Sequence, residues 1–203
     1  MRISGGEWCG RTLLMPKSDL VRPTQDRVRE ALFNLMMGLI PGCRFLDLFA
    51  GSGAVGLDAL SRGAGEVTFL ERDRKVFETL RKNMDTFGVP ADCAHCTDAL
   101  LWLGLSETGT AKGRPVRLPA RVAQPYDIVF ADPPYLWAKE NGFAAIAEAL
   151  RLRGLIAPGG LLTTETDYRT DPADLPGYEL LRDRLYGKTR IVIYRAAAQS
   201  TDK

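Results

Sequence analysis

The sequence predicts an α/β protein built on a mainly parallel, doubly wound sheet. Three observations carry this. Short apolar runs with strand character alternate with amphipathic helical stretches from residue 44 to residue 165. A glycine-rich turn, Gly51-Ser52-Gly53-Ala54-Val55-Gly56, joins the first of these runs to the helix after it. The last two runs, Glu179–Arg184 and Thr189–Arg195, have no helix between them and should pair antiparallel.

The elements follow in chain order. Residues 1–22, with Gly5-Gly6 and Gly10 between short polar and apolar pieces, read as a β-hairpin arm rather than a core element. Residues 23–195 read as one α/β domain, and 196–203 as a flexible tail. A helix opens at Pro23-Thr24, with Thr24 as N-cap, and runs to Pro41-Gly42. Its apolar positions are Val28, Ala31, Leu32, Leu35, Met36 and Leu39. Arg44–Leu48 is a buried strand, and Ala54–Arg62 a helix closed by Gly63. Glu66–Leu70 is the second strand and Asp73–Phe87 the second helix of the repeat. Ala91–Thr97 is a weaker strand, Tyr126–Ala131 a strongly apolar one. Gly142–Arg151 is a helix and Leu161–Glu165 a strand. Residues 104–125, broken by Gly104, Gly109, Gly113, Pro115, Pro119 and Pro125, fit no period and read as an inserted basic loop.

Composition narrows the function. Hydrophobic content of 45% and charged content of 26% exclude bulk disorder. A chain of 203 residues buries roughly 70% of its unfolded surface and needs no disulfide or metal staple. No apolar run approaches the ~18–20 residues of a membrane span, and the first residues lack an apolar signal core, so the expected location is cytoplasmic. A single histidine, His95, excludes a multi-histidine metal centre. Cys93, His95 and Cys96 lack a partner pair and read as strand residues, so no metal is expected. The net charge of +2 hides polarity along the chain. Arg182, Arg184, Lys188, Arg190 and Arg195 stand against Asp183. Lys112, Arg114, Arg117 and Arg121 stand against Glu107. Residues 1–30 hold six bases and four acids. These stretches suit phosphate contacts, although solvated loops and helix faces give the same pattern.

The glycine turn is the first chemical motif. Its glycines let the backbone approach a ligand and enter a helix tightly. A dinucleotide site, a methyl-donor site and a purely structural turn all fit G-x-G-x-x-G. Asp47, just before the turn, would repel a pyrophosphate but suits ammonium and sulfonium charges, and S-adenosylmethionine carries both. Glu71, at the end of the second strand, can accept hydrogen bonds from both ribose hydroxyls. Asp98 and Ala99 follow the third strand and could take the adenine amino group and N1. Phe49, Gly51, Gly53 and Arg72, in the same turns, complete the cofactor candidates.

Asp132-Pro133-Pro134-Tyr135 is the second motif. Two prolines cannot extend a ladder, so they fix a stiff turn at the end of a buried strand. Asp132 and the Pro133 carbonyl can accept both hydrogens of a planar exocyclic amine, and Tyr135 can stack on its base. Catalysis would then rest on Asp132, Pro133 and Tyr135, through alignment rather than a strong base.

With both motifs in this order, the chain resembles the bacterial 16S ribosomal RNA guanine-N2 methyltransferases that modify guanine 966. The resemblance rests on Met1-Arg2-Ile3 with Gly5-Gly6 and Gly10-Arg11, on Arg22-Pro23-Thr24, on Val28 through Asn34, on Leu46 through Gly56, and on Glu71, Asp98-Ala99-Leu100 and Asp132 through Tyr135. It covers about the whole chain. The central motifs fit many methyltransferases, and the N-terminal signature supplies the specificity. The resemblance implies a Rossmann-like class I methyltransferase fold with a seven-stranded, mainly parallel sheet and an antiparallel C-terminal strand. It implies S-adenosylmethionine as cofactor, and 16S rRNA within the small ribosomal subunit or its late precursor as partner. It also implies an arm near RNA, with Arg2, Arg11, Arg22, Thr24 and Tyr135 as substrate contacts. A monomer is expected. The loop at 104–125 departs from the family pattern. Rival readings are an N6-adenine DNA methyltransferase, a noncatalytic ribosome-assembly RNA binder and, disfavoured by Asp47, a nicotinamide dehydrogenase.

Overall fold

The computed structural model describes residues 1–16, 26–105, 119–133 and 143–198. It comprises two compact units, Met1–Ala99 and Leu100–Lys203. The first contains α1 (Asp26–Leu35), β1 (Arg44–Asp47), α2 (Ala54–Ser61), β2 (Glu66–Glu71), α3 (Arg74–Thr86) and β3 (Ala94–Cys96). Its strands lie in the order β3-β2-β1, all parallel. Phe45 to Asp47 and Val67 to Leu70 are buried without alternation, the pattern of parallel strands covered on both faces. Asp47 pairs with Phe69, and Glu71 with Cys96. Parallel register therefore brings the C-terminal ends of β1 and β2, with their carboxylates, to one edge of this sheet.

Three elements differ from expectation. The first helix stops at Leu35. Met36, Met37 and Leu39 then donate to the third residue back (3.2, 3.4 and 3.0 Å), which tightens the chain into turns. Leu39 consequently leaves the apolar face and is exposed. The weak third strand is a 3-10 turn at Ala91–Cys93 followed by only three strand residues, because the Cys93 N–H closes on Pro90 O at 3.2 Å. The arm does contribute to the core: Ile3 and Leu13 are buried. It keeps its hairpin character through the Arg2–Thr12 bridge and the Ile3 N–H to Arg11 O bond of 2.9 Å.

The second unit contains β4 (Tyr126–Ala131), α5 (Ala144–Leu152), β5 (Ile156–Asp167), β6 (Tyr178–Tyr186) and β7 (Thr189–Ala196), preceded by α4 (Ala99–Trp102), which opens at the boundary. Its strands lie in the order β4-β5-β7-β6. β4 and β5 are parallel, and β7 runs against both its neighbours. These seven strands, with β7 the antiparallel one, give the fold class expected from the sequence. β5 starts earlier than expected, across Pro158-Gly159-Gly160, with a register shift opposite Tyr126–Ile128. Sequence periodicity missed α4 and the 3-10 turn at Ala120–Ala123, which lies within the stretch expected to be loop. β7 continues through Ala196, and the Ala197 N–H donates to Gly177 O at 2.8 Å. Pro23, Thr24, residues 106–118, Pro134, Tyr135 and the chain beyond 198 lie outside the described residues.

Candidate active site

The end of β1 places Asp47 in the interior at 1% exposure. The chain then turns through Leu48–Gly53 into α2. Gly51 (φ 55) and Gly53 (φ 82) both lie in the left-handed region that side chains disfavour. The second and third glycines also answer to packing. A Cβ on Gly53 would meet Leu80 Cδ1 at 2.4 Å, and one on Gly56 would meet the Phe69 ring at 2.2 Å. They let α2 sit tightly against β2 and α3.

The first glycine is tied to the neighbouring strand. The Gly51 N–H donates to Glu71 Oε2 at 2.9 Å, and the Asp73 N–H donates to Glu71 Oε1 at 2.7 Å. The Ala50 N–H donates to Leu70 O at 2.9 Å. Glu71, expected only to meet a ligand, therefore also fixes the turn. Each oxygen keeps a further lone pair for a donor from outside. Burial raises its pKa more than these backbone bonds lower it.

Asp47 is only half satisfied. Its Oδ2 accepts from the Gly56 N–H at 3.1 Å, while its buried Oδ1 has no partner in hydrogen-bond geometry among the described residues. Burial pushes its pKa up to about 7, and the Glu71 charge adds to this. The Gly56 and Phe49 N–H groups offset only part. Such an atom, in a turn built for close backbone approach, suits a ligand that brings a positive charge or an N–H donor.

Of the other expected cofactor residues, Phe49 lies within the turn, Arg72 directly follows β2, and Asp98 and Ala99 come just after β3. Phe49 is half-buried, and Ala99 is buried at the start of α4. Arg72 and Asp98 form an ion pair at 3.4 Å, with Arg72 the more exposed partner. In the second unit, Asp132 (half-buried) and Pro133 (buried) directly follow β4. Pro134 and Tyr135, the remaining members of that motif, lie outside the described residues, as do Arg22 and Thr24.

The arm arginines are engaged within the protein. Arg11 lies 4.3 Å over the Phe87 ring and donates to Thr86 O at 2.9 Å. Arg2 donates to Gly10 O at 3.4 Å. Both stay exposed. No group of three or more metal-ligating side chains is assembled among the described residues. No helix among them is long and apolar enough to cross a membrane.

Two buried polar centres escaped the sequence reading. Arg29 and Asp58 form an ion pair at 2.7 Å with both side chains fully buried. Asn83 sits on the buried face of α3. The available signal was a polar residue at a helical spacing that otherwise predicts core.

The fold and this turn define a class I methyltransferase that uses S-adenosylmethionine. A solved Escherichia coli structure described as methyltransferase yhhF matches with a TM-score of 0.78 at 34% identity, over 98% of this chain and 99% of that one. More particularly, the family described as Conserved hypothetical protein 95 matches residues 1–195, and the chain belongs to it. The chain is 35% identical to Ribosomal RNA small subunit methyltransferase D of Escherichia coli K12 over 200 residues, covering 98% of this chain and 91% of that protein. It is 36% identical over 197 residues to the protein of the same name from Haemophilus influenzae, covering 96% and 92%.

Proposed function

We propose that the protein transfers a methyl group from S-adenosylmethionine to the exocyclic N2 of a guanine in the 16S rRNA of the small ribosomal subunit. The observation that carries the reading is the buried, unpartnered Oδ1 of Asp47 beside a turn with two left-handed glycines. The names of the relatives support small-subunit rRNA as substrate. The guanine N2 target, at position 966, rests on the resemblance; Asp132-Pro133-Pro134-Tyr135 suits a planar exocyclic amine of any base.

The residues present fit the cofactor. Asp47 would take its charged amino group and Glu71 its ribose hydroxyls. Asp98, steadied by Arg72, and the Ala99 backbone would take the adenine, with Phe49 and the Gly51 and Gly53 backbone lining the turn. When bound, S-adenosylmethionine supplies a methyl group on an electrophilic sulfonium.

The chain's own work is to present the amine. Asp132 and the Pro133 carbonyl accept its two hydrogens, which holds the nitrogen lone pair in one direction. Asp132 also stabilises the positive charge that develops on nitrogen. Tyr135 stacks on the base, which must be unpaired or flipped at a cost of a few kcal/mol. Arg2, Arg11, Arg22 and Thr24, with the basic stretch at 182–195, would position RNA through phosphates.

The test supplies labelled cofactor to small-subunit particles from cells lacking the enzyme, to naked 16S rRNA and to DNA. The expected product is N2-methylguanine in the particles, located by mass spectrometry. Asp132→Ala should lower its rate at least ~100-fold. Label found only in DNA adenine, or RNA binding with no methyl transfer by the unsubstituted protein, would overturn the proposal.

A further inference from the structure

We infer that Asn83 is a positioning residue that couples the N-terminal arm to the glycine-rich turn, so that arm docking and cofactor binding strengthen one another. The inference rests on the placement of S-adenosylmethionine at that turn. Asn83 is buried among apolar residues of α3, where Val76, Leu80 and Met84 share its face. An apolar side chain of similar volume would satisfy the packing. The amide is instead fully engaged. Its Nδ2 donates to Ser52 O at 2.8 Å and to Leu14 O at 3.0 Å, and its Oδ1 accepts from the Leu14 N–H at 2.8 Å. It pairs with Leu14 in both directions, as a neighbouring strand would, and spends its other hydrogen on the turn.

The grip on Ser52 falls at a sensitive place. Ser52 lies between two left-handed glycines, Gly51 and Gly53, whose backbones have the widest conformational choice. The peptide joining Ser52 to Gly53 is held at both ends. Its carbonyl accepts from Asn83, and its N–H donates to Ala50 O at 2.7 Å. Releasing the Asn83 end frees that peptide to rotate and loosens the turn beside Asp47 and Glu71.

At its other end, Asn83 meets the last part of the arm. Leu13 donates to Met1 O at 3.0 Å, so Leu14 moves with the hairpin. A pull on the arm is therefore felt at Ser52 through one side chain. Coupling of this kind is reciprocal: a cofactor that orders the turn must order Leu14 by the same free energy.

The test uses the full chain and S-adenosylhomocysteine, the demethylated cofactor, so that binding is read without turnover. Calorimetry gives the Kd, and amide exchange follows the Leu14 and Gly53 N–H groups with and without ligand. In the unsubstituted protein, ligand should slow exchange at both positions. Asn83→Leu should weaken binding about tenfold, the effect of one lost buried hydrogen bond. In that variant, exchange at Leu14 should no longer respond to ligand.

Leu14→Pro removes the N–H that Asn83 accepts, at a position whose side chain is half exposed. It should weaken binding by about threefold. Where Asn83→Leu does not fold, this second variant decides on the Kd and on the response of the Gly53 N–H to ligand, since proline at position 14 has no N–H to follow. A residue that served stability alone would lower the melting temperature and leave the Kd within about twofold. That result, or ligand-insensitive exchange at Leu14 in a protein that binds tightly, overturns the coupling while the cofactor site stands. Failure of the unsubstituted protein to bind ligand overturns both.

Discussion

Asp47 and Asp58 are equally buried carboxylates of the first unit, at 1% and 0% exposure, and the protein treats them in opposite ways. Asp58, on α2, is completed from within. Its Oδ1 accepts from the Ser4 N–H at 2.7 Å. Its Oδ2 accepts from Ser4 Oγ at 3.0 Å and from Arg29 Nε at 2.7 Å. Arg29 also donates to the Arg2 carbonyl and to Asp26. One ion pair thus ties the arm, α1 and α2 together. Asp47, at the end of β1, has only the Gly56 and Phe49 backbone N–H groups beside it, and its buried Oδ1 has no partner in hydrogen-bond geometry among the described residues. A buried charge that the chain neutralises belongs to the fold. One that it leaves half satisfied fits a ligand, the role proposed for Asp47.

The largest expected effect breaks the Asp58 side. Asp58→Ala removes the buried carboxylate facing Arg29, which keeps only Asp26 and the Arg2 carbonyl of the partners named above, and should cost ~3–5 kcal/mol of unfolding free energy in urea. A loss under ~1 kcal/mol would mean that water reaches Arg29 readily. Asp47→Asn probes the other side. Its stability should hold or rise, since a buried charge is removed. Binding of S-adenosylhomocysteine should weaken by about 10–100-fold, the range for a charge-assisted hydrogen bond. Unchanged affinity would detach Asp47 from the ligand.

Gly56→Ala separates packing from binding within the turn. Its new methyl group would press on the Phe69 ring, so stability should fall by ~1–3 kcal/mol. Loss of affinity without loss of stability in urea would contradict that reading.

The last test is the pH profile. Asp47 holds its proton more tightly when folded, with a pKa of about 7 against 3.8 unfolded. Its contribution to stability is therefore complete below 3.8 and is lost as pH rises through about 7. Glu71, also raised by burial, acts with the same sign. Chemical unfolding across this range should show the decline, and Asp47→Asn should flatten it. An identical slope in both proteins would refute the assignment.

The sequence made the repeat legible because strand and helix periods differ strongly between residues 44 and 86. Glycines marked the turn, and Asp73 capped α3 by accepting from Lys75 and Val76. Asp47 and Glu71 were recognisable because acids at the ends of apolar strands stand out. The partners that hold the site were not. Asp58 and Asn83 are reached from 54 and 69 residues away, by Ser4 and Leu14. Such distant hydrogen bonds leave no local period. Arg29 looked like a solvated helix base, and only tertiary structure shows it buried. The arm was expected to meet RNA, but its backbone first serves to complete Asp58 and Asn83.

Proton release on cofactor binding tests the central contrast most directly. At pH about 6 an α-amino group with an ordinary pKa of about 7.7–8.0 is already charged, whereas free Asp47 is mostly protonated. Calorimetry of S-adenosylhomocysteine binding in buffers of different ionisation enthalpy counts the protons exchanged. The unsubstituted protein should release ~1 proton per ligand bound as Asp47 ionises against the incoming amino group, and Asp47→Asn should release ~1 fewer. Equal proton release by the two proteins would show that Asp47 does not receive the cofactor's charge.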